Sequence, residues 1–261
     1  MNAASHCSTW PHSTSGVGDA PKSAEPPLNY DMVSFDLDGT LVDTAGEIAE
    51  AVNSALQAHG MPRRSLQEIT YLIGDGSRQL MLKLMARLFL EQPSLADTVR
   101  PDAVLETFER QLAATIGSAA RPYAGAREAL VRLKDSGVRL ACVTNKELRH
   151  AHKVLRAARL DDLFDLVIGG DSLPHKKPHA SVLRHVTAAL SCDPWRAAHV
   201  GDSATDVEAA RNAGVAAWAV PYGYNAGVAI AVSRPHRIFG ALSEVAEHVL
   251  APTSAMARHD R

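Results

Sequence analysis

The sequence predicts an α/β protein, a doubly wound parallel sheet with an all-helical domain inserted into it. From Pro122 onwards, short apolar runs alternate with helical periodicity, the pattern of a parallel sheet covered on both faces. Residues 45–120 carry helical spacing and no convincing strand. Ahead of them, one isolated strand, Tyr30-Asp31-Met32-Val33-Ser34-Phe35, breaks off into acid, acid and glycine. The sheet is therefore assigned to residues 30–44 plus 121–251, and residues 45–120 to a separate helical domain.

Residues 1–29 are rich in Ser and Pro and lack apolar periodicity, so a disordered extension is expected there. They also lack the charged start and apolar centre of a secretory signal. After the first strand, Ile48, Val52 and Leu56 recur every four residues until Gly60 and Pro62 stop the segment. Gly74-Asp75-Gly76 opens a second helix carrying Leu80, Leu84, Met85 and Leu88. A third runs from about Ala103 to Ile116 on Val104, Phe108, Leu112 and Ile116.

The alternation then begins. A helix from Gly125 to Ser136, closed by Gly137, leads to the strand Arg139-Leu140-Ala141-Cys142-Val143-Thr144-Asn145. Another helix reaches about Ala158, and a strand is expected from Leu163 to Gly170. Pro178 to Leu190 reads as helix, Ala197 to Val200 as strand, Ala204 to Ala213 as helix ended by Gly214, and Val215 to Val220 as strand. A flexible tail is expected over 252–261.

Composition narrows the class of function. At 261 residues, 46% hydrophobic and 21% charged, the chain is ordinary for a globular protein. A net charge of -2 gives no electrostatic reason to expect nucleic acid or an anionic membrane as partner. The apolar stretch Ala213 to Tyr222 is broken by Gly and Pro and is far short of the ~20 residues of a membrane helix. Cys7, Cys142 and Cys192 are scattered and form no CxxC, which fits a reducing cytoplasm and a buried, unreactive Cys142. The chain is expected to be a monomer or homodimer.

Four strands end in polar residues suited to one chemistry: Asp36 and Asp38; Thr144 and Asn145; Gly169-Gly170-Asp171 with Lys176-Lys177-Pro178 beyond it; and Gly201-Asp202-Ser203-Ala204-Thr205-Asp206. In a parallel sheet these ends share one edge, where such sheets bind ligands. Each residue has a plainer reading. Asp206 suits a helix first turn, Thr144 suits the close of a strand, and Lys177 could be a solvated loop charge with Lys176 competing for its place. The histidines, including the pairs His175/His179 and His150/His152, read as surface or loop residues.

In order and spacing the four segments resemble the haloacid dehalogenase superfamily of phosphatases. Its motifs are DxDGT, a Ser or Thr after an apolar strand, a Lys, and GDxxxD. The resemblance implies a Rossmann-like core and an α-helical cap formed by the insertion. It implies Asp36 as the nucleophile that accepts the phosphoryl group, and Asp38 as general acid and base. It also implies Mg²⁺ bound through Asp36, the Asp38 carbonyl, Asp202 and Asp206, with Asp206 acting through water or orienting Lys177. Thr144, Asn145 and backbone N–H groups near Gly39 and Thr40 would meet the phosphate charge. Ionised Asp36, Asp202 and Asp206 with a phosphate dianion, against Mg²⁺ and one Lys, leave a residual -2. That crowding favours a protonated Asp38.

The runs Asp171 to His179, Ile73-Gly74-Asp75-Gly76 and Val220-Pro221-Tyr222-Gly223-Tyr224-Asn225 look like those of phosphoglycolate phosphatases. The family usually has Pro where Ala180 stands, and residues 226–228 are more apolar than usual. This narrower likeness implies hydrolysis of 2-phosphoglycolate, with Arg78 at a helix start as a partner for the substrate carboxylate. Another small phosphate ester, or a phosphosugar mutase reaction, stays open. A dehalogenase needs no acid at Asp38, and a phosphonate hydrolase needs a cap lysine, for which Lys83 in an apolar helix is a poor candidate. A phospho-accepting module without turnover needs neither the second Asp nor a helical cap.

Overall fold

The computed structural model describes residues 29–251, so the expectations for residues 1–28 and 252–261 lie outside the described residues. Strand β1 (Met32–Phe35) is followed by the two-residue β2 (Val42–Asp43) and then by helices α1 (Ala45–Ala58), α2 (Leu66–Thr70), α3 (Ser77–Glu91), α4 (Leu95–Thr98) and α5 (Pro101–Thr115). Next come β3 (Arg121–Pro122), α6 (Ala126–Asp135), β4 (Arg139–Val143), α7 (Leu148–Ala157), β5 (Leu166–Ile168) and α8 (Ala180–Ala189). The chain continues through β6 (Ala197–Gly201), α9 (Ala204–Ala213), β7 (Ala216–Ala219), β8 (Arg237–Ile238) and α10 (Leu242–Leu250).

Six strands form one sheet in the order β5-β4-β1-β6-β7-β8, and every pair in it is parallel. The pleat sorts side chains by alternation. Val33 and Phe35, Leu140 and Cys142, Ala198 and Val200, and Trp218 face the layer that includes α6, α7 and α10. Met32, Ala141, Val143, Ala197, Ala217 and Ala219 face the layer of α8 and α9. Burial on both faces explains why these strands read as continuous apolar runs. Cys142 is a buried free thiol, as its neighbours imply.

Helices α1 to α5 lie between β2 and β3, and the Ile48, Val52, Leu56 stripe of α1 packs against Val104, Phe108 and Leu112 of α5. The chain enters and leaves this block side by side, because β2 and β3 pair antiparallel, Val42 opposite Pro122 and Asp43 opposite Arg121.

Some boundaries depart from the expectations. The strand expected over 163–170 is confined to β5, because buried Leu163 sits in a turn (Leu163 N–H to Leu160 O, 3.2 Å) and not in the ladder. Helix α8 begins at Ala180, with the His179 ring accepting from Ser181 N–H at 3.2 Å as its cap. Not all histidines lie at the surface or in loops as expected: His150 and His199 are fully buried, whereas His175 and His179 stack on each other in a loop with ring centres 4.0 Å apart.

Candidate active site

The C-terminal ends of β1, β4 and β6 bring the acids together. Asp36 N–H still bonds the Val200 carbonyl at 2.9 Å, so the nucleophile candidate stands on the last rung of the sheet. Gly39 then turns the chain at φ +87°, and a Cβ there would lie 2.3 Å from an Asp202 carboxylate oxygen. Only glycine lets the loop pass that close. Asp202 follows β6 directly. It accepts from the Thr40 hydroxyl at 3.1 Å and from the backbone N–H of Tyr224. Asp206 stands in the first turn of α9, where Oδ2 accepts from Ser203 N–H at 3.1 Å and Ser203 hydroxyl at 2.6 Å.

Lys177 ties these acids together from below. Its buried ammonium donates to Asp206 Oδ1 at 2.7 Å and to the Val143 carbonyl at 2.6 Å, and it lies 2.9 Å from Asp36 Oδ1. Lys176 turns away and donates to the Asp75 carbonyl, so the competition between the two lysines is resolved by position. Asp206 also faces buried His199 at 3.3 Å.

Charge and burial work against each other here. Burial pushes Asp36 up to about 6, helped by Asp206 and Asp38 and partly offset by Lys177. Burial, Asp206 and Asp36 together hold Asp202 well above the usual carboxylate range. Burial would also raise Asp206, but Lys177 and His199 outweigh it and hold that group far below its ordinary value. Burial would lower Lys177, yet Asp206 and Asp36 keep its charge in place. His199 is pushed down by burial, partly offset by Asp206.

Oxygens of Asp36, Asp202 and Asp206 lie within 4.8 Å of one another, an all-oxygen cluster short of positive charge. That donor set fits a hard divalent cation. Both Asp206 oxygens are already taken by Lys177, His199 and Ser203. Each Asp206 oxygen meets two such groups, whereas each Asp202 oxygen meets one, from Thr40 or Tyr224, so Asp36 and Asp202 keep more room for a metal than Asp206.

Asp38 sits apart from the cluster. Lys146 donates to both its oxygens at 3.0 and 2.8 Å, and Thr44 hydroxyl donates to Oδ1 at 2.6 Å. Lys146 is buried, and no motif of the sequence marks it. The charge count must therefore include a second lysine, and the Asp38 carboxylate accepts from three donors where like-charge crowding was expected to dominate. The place of Lys146 in the chain, one residue beyond Asn145 at a strand end, is the signal that could have found it.

The expected phosphate and carboxylate donors fare differently from the acids. Thr144 lines the cavity above Asp36. Asn145 spends its amide on the carbonyls of Gly74 and Lys177, both at 3.0 Å, and so joins two loops. Gly39 N–H bonds the Val42 carbonyl at 2.9 Å and Thr40 N–H faces the Leu37 carbonyl at 3.4 Å; these groups hold the loop and present no free donor. Arg78 is exposed and faces Glu109 at 3.9 Å, outside the cavity. At the start of α3 the cap Gly76 and the first residue Ser77 line the cavity, while Arg78 lies outside it. Arg78→Ala is expected to leave kcat/KM within about twofold of wild type in steady-state assays.

The helical insertion closes over the acids. The cavity is walled by Ile48, Ile73, Leu80 and Leu112 above and by Asp36, Asp38, Thr144 and Asp202 below. Ser77 hydroxyl donates to Glu147 at 2.6 Å across this seam. Burial would raise Glu147, but His150 and Ser77 outweigh it and bring it down to about 2. At the base of the insertion the Tyr224 hydroxyl accepts from the N–H groups of Thr44 and Ala45 at 2.9 and 3.1 Å. Glu47 accepts from Gly117 and Ala119 N–H at 2.9 and 3.2 Å, joining the two connecting segments.

Residues 33–220 match the family model of haloacid dehalogenase-like hydrolases. A phosphoglycolate phosphatase of Nitrosospira multiformis is 41% identical over 201 residues, 77% of this chain and 87% of that protein. One from Psychrobacter arcticus is 34% identical, covering 85% of this chain and 97% of its own. The crystal structure of a predicted phosphoglycolate phosphatase from Haemophilus somnus superposes with a TM-score of 0.77 at 32% identity, covering 83% of this chain and 96% of that one.

Proposed function

The chain belongs to the haloacid dehalogenase-like hydrolases, and we propose that within them it is a Mg²⁺-dependent phosphatase that converts 2-phosphoglycolate to glycolate and phosphate. The observation that carries this reading is Asp36: a buried carboxylate at the floor of the cavity, joined to Lys177, with a second acid two residues on that faces the same space.

In this mechanism an Asp36 oxygen attacks phosphorus and the ester P–O bond breaks, giving an aspartyl-phosphate. Asp38 delivers a proton to the departing oxygen and then takes one from the water that attacks the aspartyl-phosphate. Thr44 and Lys146 fix where Asp38 points. Thr144 hydroxyl donates to the phosphoryl oxygens, and Lys177 holds Asp36 and Asp206 in place. Mg²⁺, held by Asp36, Asp202 and the Asp38 carbonyl, would neutralise charge on the phosphoryl group. The helices of residues 45–120 act as a cap that opens at the β2–β3 base to exchange substrate and closes to exclude bulk water.

A panel of small phosphate esters assayed with Mg²⁺ tests the reading. Phosphoglycolate should lead on kcat/KM with stoichiometric phosphate release. A sugar phosphate that leads, or that is isomerised without phosphate release, would count against it.

The raised carboxyls give a pH signature. Asp36 titrates near its ordinary value of 3.8 when unfolded and about 6 when folded, so the metal-free protein binds the extra proton in the folded state. That contribution is full below the unfolded value and is lost as pH rises through about 6, on the order of 3 kcal/mol. The melting temperature in EDTA should therefore fall across that window through this group. Mg²⁺ should raise it more at pH 8 than at pH 5, where protons compete for the same oxygens. Equal Mg²⁺ shifts at both pH values would be the contrary result in thermal scans.

A further inference from the structure

We propose that Lys146 selects substrates carrying a carboxylate next to the ester carbon, by receiving that carboxylate on the same ammonium that holds Asp38. The inference rests on the phosphoglycolate reading and names the residue responsible for it.

A doubly charged phosphate with an extra carboxylate enters a cavity that already holds Asp36, Asp38 and Asp202. Without a cation beside Asp38, that carboxylate would be repelled. Among the described residues lining the cavity, Lys146 is the one cationic side chain. Others lie nearby but are committed elsewhere: Lys177 to Asp36, Asp206 and the Val143 carbonyl, Lys176 to the Asp75 carbonyl, Lys83 to Asp75, and Arg78 to Glu109.

The chemistry of the substrate places its carboxylate where Lys146 is. In phosphoglycolate the carboxylate carbon is separated from the ester oxygen by one methylene. Asp38 must come within roughly 2.6–3.2 Å of that oxygen to protonate it. Lys146 Nζ lies 2.8 Å from Asp38 Oδ2, so acid and ammonium address adjacent ends of one short fragment. An ammonium has three donors, and Asp38 is the only hydrogen-bond acceptor its Nζ meets among the described residues. Lysine suits the task because it bridges two carboxylates as a point charge, whereas a guanidinium fork engages one face-on. Burial at 4% side-chain exposure shields the contact from solvent and strengthens it.

A purely structural Lys146, one that only positions Asp38, would affect every ester alike. The test is therefore a ratio. The kcat/KM for 2-phosphoglycolate is divided by that for 2-hydroxyethyl phosphate, which replaces the carboxylate with a hydroxymethyl group. Wild type, Lys146→Met and Lys146→Arg are compared, each ratio from a single preparation so that the folded fraction cancels. The wild-type ratio should be large, Lys146→Met should lower it about 100-fold, and Lys146→Arg should restore part of it. If Lys146→Met turns over neither ester, calorimetry on the Mg²⁺-loaded variant compares 3-phosphonopropionate with 3-hydroxypropylphosphonate, which are not hydrolysed. Loss of discrimination supports the inference and retained discrimination overturns it. Should Lys146→Met fail to fold, Lys146→Gln, which keeps a donor towards Asp38, takes its place: a lowered ratio supports the inference and an unchanged one overturns it. A wild-type protein with no preference for the carboxylate overturns the phosphoglycolate reading and this inference with it. A preference that survives in the Lys146 variants overturns only the role of Lys146.

Discussion

Asp36→Asn is expected to lose turnover by roughly 10⁴-fold or more while the protein folds normally and, without metal, melts at a higher temperature than wild type. The amide has the shape of the carboxylate but cannot form an aspartyl-phosphate. Thermal gain follows from the same burial that tunes the group: Asp36 is raised to about 6 because its charge is poorly solvated and faces Asp206 and Asp38. Removing that charge relieves the crowding, and Lys177 keeps Asp206 as its partner at 2.7 Å. Phosphate release and melting in EDTA at pH 8 measure the two effects side by side. Residual turnover above about 1% of wild type would remove Asp36 from the nucleophile's role.

Lys177→Met should carry the largest stability cost of any single change in the site. It deletes the cation between two buried acids and strips the Val143 carbonyl of its donor. Breaking such a pair leaves an uncompensated buried charge, which costs about 3–5 kcal/mol. For a chain of this size that corresponds to a melting temperature lower by roughly 6–20 °C. The sign with pH follows from Asp206, whose carboxyl Lys177 and His199 hold below its ordinary value. Its stabilising contribution is present above the unfolded value of 3.8 and is lost as pH falls through the depressed one. In the variant Asp206 loses that hold, and Asp36 and Asp202 can take up protons. The deficit should therefore be greatest at pH 8 and smaller at pH 5. Identical melting curves at pH 8 would mean that the ion pair contributes nothing.

What was legible in the sequence follows from what each signal depends on. Helix α9 and its stop at Gly214 matched to the residue, because capping and glycine at φ +79° are local properties. The acids were legible because a strand end followed by DxDGT or GDxxxD combines local pattern with fixed spacing. Substrate-side groups were not. Asn145, Gly39 and Thr40 have the right chemistry, but their hydrogen bonds go to partners fixed by tertiary contacts, such as Gly74 and Lys177 around Asn145. Arg78 was misplaced because one residue along a helix start changes the face by about 100°. Lys146, His150 and His199 carry no periodic signal that separates a buried polar side chain from an exposed one. The short β2–β3 base was missed for a related reason: two residues per strand are too few for alternation to show.

The central position of β1 has a consequence for how the protein comes into being. Its parallel partners begin at Arg139 and Ala197, so on the ribosome Met32 is made 107 residues before the first of them. At about 5–20 residues per second the strand waits roughly 5–20 s without a neighbour. During that wait helices α1 to α5 can form from contacts within their own segment, and the four-residue length of β1 limits what it can template. Nascent chains stalled after α5 should accordingly show protease protection across residues 45–115 before any appears at β1, and the reverse order would contradict this account. The oldest strand of the sheet thus waits longest for a partner, and the helical segment made after it is the first to take shape.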